Sequence, residues 1–97
     1  MQRKQVEIDG KKFTLGEVPA GAVEDCQDAL ASPELDDRAK SDAMRRLVAE
    51  SLSRGGTPFT AEEVRATFSI TEHGFLYREA MVVSGWRALP EGGVLGP

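Results

Sequence analysis

The chain has 97 residues, a net charge of −4 and one cysteine, Cys26. That length supports one domain, a lone thiol excludes an intramolecular disulfide, and no window approaches the ~20 apolar residues of a membrane-spanning helix. Leu, Ile, Val and Phe supply only 22 of the 97 residues, so the core is thin and association would strengthen it.

The opening MQRKQVEIDG carries two basic residues with no apolar run behind them. It is not read as a signal peptide, and a reducing, cytoplasmic setting is expected. Residues 3–15 read as a β-hairpin, because Asp9-Gly10 tolerates the positive φ that a two-residue type I′ turn needs. That turn pairs Ile8 with Lys11, Glu7 with Lys12 and Val6 with Phe13. Val6, Ile8, Phe13 and Leu15 then share one face, which must lie on the helices or join another sheet.

A first helix is expected at about residues 20–31, with Val23, Cys26, Gln27 and Leu30 inward. Cys26 on that stripe reads as a small buried thiol. Charge concentrates here: residues 17–37 carry seven acidic side chains and no basic one. Glu24, Asp25, Asp28, Asp36 and Asp37 form the acidic surface, which argues against nucleic acid on that face.

A second helix is expected at about residues 33–53, with Ser32 as cap and Pro33 at the first helical position. Leu35, Ala39, Ala43, Met44, Leu47, Val48 and Leu52 fall on one side, and as the longest helix it is read as the scaffold. Thr60-Ala61-Glu62-Glu63 spells a capping box for a short third helix, about residues 61–68, with Phe59 placed to staple onto Val64.

Ser69–Trp86 is the most apolar segment, and the other elements are expected to pack on it. Its fourth helix, about residues 70–84, opens with the capping box Ser69-Ile70-Thr71-Glu72 and ends at Gly85. Phe75, Leu76, Ala80, Val83 and, one turn off, Val82 recur at helical spacing, and Tyr77 and Met81 widen the stripe. Residues 1–87 are thus read as one domain of α+β class, mainly α, with residues 88–97 as a flexible tail.

No catalytic set emerges, so the chain is read as a non-enzyme without cofactor or metal. His73 is the only histidine, which rules out a histidine-based metal cluster, and it is expected on the solvent side. The two short helices lack basic or amide side chains where a DNA recognition helix needs them, so nucleic acid is not an expected partner. Nor is a membrane.

Taken together, residues 5–86 resemble the tail assembly chaperones of long-tailed bacteriophages, in their short form. The resemblance lies in the opening hairpin VEIDGKKFTLGEV, the acidic helix after it, and the closing TPFTAEEVRATFSITEHGFLYREAMVVSGW. It implies a non-enzymatic protein of the host cytoplasm that binds and solubilises the tape measure protein and helps recruit tail tube subunits for virion assembly. It transfers no catalytic residue and leaves self-association into a homo-oligomer open. Phe75, Tyr77, Met81 and Trp86 are the expected partner-binding residues, with Phe75 the most core-like and the other three the more exposed. Two alternatives stand beside it: an acidic phage-encoded inhibitor of a host or defence protein, and a structural tail component.

Overall fold

Asp9 and Gly10 take positive φ angles of 51° and 78°, the left-handed pair that a type I′ turn requires. They join β1 (Arg3–Ile8) to β2 (Lys11–Gly16). The computed structural model describes residues 2–86, so the expected tail at 88–97 lies outside the described residues. In the hairpin Val6 pairs with Phe13, Glu7 with Lys12 and Ile8 with Lys11. Val6, Ile8 and Leu15 are buried, and Phe13 packs at the margin of the same cluster. The sheet has only these two strands among the described residues, so the helices must cover its apolar face.

Four helices follow: α1 (Ala20–Ala31), α2 (Asp37–Arg54), α3 (Ala61–Thr67) and α4 (Ile70–Val83). The architecture is α+β, mainly α, as the sequence predicts. Both expected capping boxes close. Glu63 N–H donates to Thr60 Oγ1 at 3.1 Å, and Thr60 N–H donates to Glu63 Oε1 at 2.9 Å. Ser69 and Glu72 repeat the exchange at 3.1 and 2.9 Å.

The second helix departs from expectation at its start. Ala39 N–H donates to the Asp36 carboxylate at 2.8 Å, so Asp36 is the cap and the helix begins at Asp37 rather than Pro33. Ser32 Oγ instead accepts from Glu34 N–H at 3.3 Å, closing a local turn. A carboxylate is the stronger partner for a helix N-terminus, because it both accepts the free N–H and opposes the positive end of the dipole. Leu35, expected on the inner side of this helix, is left outside it and 38% exposed.

Of the two helices expected to organise the fold, the apolar α4 and the longer scaffold α2, it is α2 that forms the hub. α2, not α4, touches α1, α3, α4 and β2. It buries Ala43, Leu47, Val48, Ala49, Ser51 and Leu52, a stripe wide enough to serve several neighbours. One cluster gathers Val6, Ile8, Leu15, Val48, Leu52, Val64 and Leu76 between hairpin and helices. Phe13, Phe59 and Phe68 close its end with ring centroids 5.4–6.4 Å apart. A second cluster joins Val18, Val23, Cys26, Ala43, Leu47 and Met81 under α1.

The end of α2 presses on the outer edge of β2. Ser51 is fully buried, and its hydroxyl donates to the Gly16 carbonyl at 2.8 Å. At its own C-terminus α4 closes in a Schellman turn. Trp86 N–H reaches the Met81 carbonyl at 2.9 Å and Gly85 N–H the Val82 carbonyl at 3.0 Å. Gly85 holds φ 96° there, a conformation that costs a side-chain-bearing residue. No described helix is long and apolar enough to cross a membrane.

Candidate interaction surface

Of the four expected partner-binding residues, the structure leaves one properly exposed. Trp86 is 39% exposed beyond the α4 turn. Phe75 is half-buried against the hairpin-side cluster, and Tyr77 is half-buried between the two clusters. Met81 is 3% exposed and belongs to the core, which corrects the expectation that it faces a partner. The reason is α1: Val23 and Cys26, with Val18 before them, cover the side of α4 that Met81 occupies.

The apolar residues that do face outward are partly different ones. Ile70 is 89% exposed and Val82 48%. Ile70 lies seven residues before Tyr77 and projects to the same side of α4, yet nothing described covers it. Its place at the first position of a capped helix was the available signal. Val82, expected on the apolar stripe, is turned outward instead.

Tyr77 carries the main polar contact between α1 and α4. Its hydroxyl accepts from Gln27 Nε2 at 3.2 Å, and the Cys26 thiol donates weakly to it across 4.0 Å. Burial, with the neighbouring Cys26 adding to it, pushes the phenol up to about 12. Burial also raises the Cys26 thiol, against smaller opposing effects of Tyr77 and Arg46. A buried thiol that resists ionisation is a poor nucleophile. Cys26 therefore behaves as a packing residue.

His73 is not on the solvent side. It is half-buried, and its Nε2 has no hydrogen-bond partner among the described residues. Burial first, and the Arg45 charge second, lower its pKa. Both favour the neutral ring. Arg45 is itself engaged by Asp42 at 2.7 Å, so the imidazole lies beside an organised ion pair rather than open water.

The acidic residues fall where expected. Glu24, Asp25, Asp28, Asp36 and Asp37 are all exposed, and Asp36 also serves as a helix cap. No ion pair among the described residues engages Glu24, Asp25 or Asp28. The concavities are open. One, of about 200 Å³, lies between α1 and α2 beside Cys26, Arg46 and Glu50. A wider groove runs between β1 and α4, past Ile8, Gly74, Phe75 and Arg78. No described cluster of His, Cys, Asp or Glu has the makings of a metal site.

These elements define a small, mainly helical α+β domain whose N-terminal hairpin is backed by α2 and α4. Comparison with known proteins finds no matching family model, no matching curated protein and no matching solved structure.

Proposed function

We propose that this protein is a non-enzymatic assembly chaperone of a long-tailed bacteriophage. In the host cytoplasm it covers apolar helical surface on the tape measure protein, keeps that protein dissolved and helps recruit tail tube subunits. The observation that carries this reading is the apolar surface left open at the C-terminal end of α4. Val82 and Trp86 lie one turn apart at its end, 48% and 39% exposed, and Ile70 is 89% exposed at its start. Ile70 points about a third of a turn away from Val82, so the edge offered to an apolar partner helix is the Val82–Trp86 end of α4. The acidic α1 keeps the coated complex soluble, since like surface charge disfavours association between coats.

The test is co-expression with whichever coiled-coil-like protein encoded nearby is the longest. The neighbour is expected to stay soluble only with this chain present, and substitution of Val82 and Trp86 by polar residues is expected to abolish that effect. A neighbour equally soluble alone rules the reading out.

The acids Glu24, Asp25 and Asp28, which no described residue pairs, favour a second reading, an acidic inhibitor that imitates nucleic acid. Salt separates the two. Apolar docking tolerates rising ionic strength, whereas binding through carboxylates collapses as the Debye length shrinks.

A further inference from the structure

The hairpin has one covered edge and one open edge. In a two-residue hairpin the pair flanking the turn exchanges both hydrogen bonds, and such pairs alternate along the ladder. Ile8, Val6 and Lys4 therefore bond inward to β2. The Gln2 carbonyl keeps the alternation by accepting from Glu17 N–H at 2.9 Å. Arg3, Gln5 and Glu7 aim their N–H and C=O groups away from β2, and nothing among the described residues bonds them. The corresponding edge of β2 is occupied, by the Ser51 hydroxyl at Gly16 and by the close approach of Gly55 to Thr14.

We infer that β1 is a self-pairing edge that joins two copies of this chain through an antiparallel β1–β1 ladder centred on Gln5. The evidence for a second copy as the occupant is the order of charges along the strand. In that register Arg3 faces Glu7 of the second copy, Gln5 faces its own counterpart, and Glu7 faces Arg3. The three residues whose backbone groups point outward are thus the three that pair, and the two-fold axis makes each ion pair occur twice.

Natural edge strands usually resist this association by carrying like charge. An edge reading Arg-Lys-Gln-Val-Glu has opposite charges at its two ends and attracts a reversed copy of itself. Lys4, on the other face, is neutralised within its own chain by an ion pair to Glu79. It can lay its aliphatic stem beside Val6 of the second copy. The product is a four-stranded sheet with both α4 helices on one face, a firmer support than a lone hairpin. This pairing goes beyond the chaperone reading and stands without it.

Sedimentation equilibrium of the full chain over a wide concentration range tests it. The wild type is expected to show a monomer–dimer equilibrium. Arg3→Glu and Glu7→Lys, measured separately, each place like charges opposite one another twice and are expected to weaken the dimer roughly tenfold. A one-to-one mixture of the two variants restores both attractive pairs and is expected to form heterodimer at wild-type strength. Gln5→Pro removes an outward N–H that the hairpin itself does not use; it is expected to give monomer with an unchanged far-ultraviolet spectrum. A wild type that stays monomeric throughout, a dimer indifferent to these variants, or a mixture no tighter than its components would overturn the inference.

Discussion

Gly55 sits so close to Thr14 that a Cβ on Gly55 would lie 1.9 Å from the Thr14 carbonyl oxygen. The backbone of Gly55 is ordinary, with φ −80°, so proximity rather than conformation demands glycine. The contact locks the end of α2 to the outer edge of β2, alongside the Ser51 hydrogen bond to Gly16.

Alanine at this position should therefore destabilise, although alanine normally improves on glycine in helical backbone. Gly55→Ala is expected to cost about 2 kcal/mol or more, because backbone must move to admit the methyl group. Gly74→Ala is the control of opposite sign. It lies inside α4 with open space at its Cβ position, and alanine there should stabilise by roughly 0.5–1 kcal/mol. Urea titration of both variants reads the two signs directly.

Adjacent residues on α4 should behave in opposite ways. Met81→Ala opens a cavity in the α1-side cluster and is expected to cost about 2–4 kcal/mol in a denaturant melt. Val82→Asn touches a side chain 48% exposed and should stay within about 0.5 kcal/mol of wild type. If partner binding uses α4, Val82→Asn is the variant that should lose it while remaining folded.

Stability should rise with pH across the titration of His73. Its pKa in the folded protein is lowered from the ordinary 6.5, by burial and then by Arg45. Below 6.5 the unfolded chain therefore binds a proton that the folded chain refuses. The contribution is complete above 6.5 and is lost as pH falls through the lowered value. His73→Phe removes this slope, which thermal melts between pH 5 and 7.5, values spanning the window around ~6.5, would reveal. Asp42 acts in a more acidic window. Desolvation raises its carboxyl, but Arg45 and Arg38 outweigh that and hold it below its usual range. Its contribution is present above the ordinary carboxylate pKa and is lost as pH falls through the lowered one.

The Cys26 thiol should be protected in the folded state. At 4% exposure, with its pKa raised by burial, it is expected to react with a thiol reagent only as fast as the domain opens. Labelling should accelerate with denaturant in step with unfolding. Fast labelling of the native protein would place α1 elsewhere.

The local features were legible before any coordinates. Asp9-Gly10 specifies its turn because two adjacent residues tolerate positive φ, and the turn sets the register of Val6, Ile8, Phe13 and Leu15. Thr60 with Glu63, and Ser69 with Glu72, mark helix starts because each box satisfies backbone donors within four residues. Such signals need no distant partner, so they survive reading one residue after another.

What the chain order could not reveal was which side of each helix another element covers. Met81 and Val82 are neighbours of similar character, and only the position of α1 buries one and exposes the other. His73 counts as a surface residue until the Arg45 side of α2 packs near it. Ser32-Pro33 and Asp36 are both credible helix starts, and the choice between them turns on which cap binds more strongly and on Leu35 having no core to join. Burial belongs to pairs of surfaces, and those pairs form across long separations in the chain.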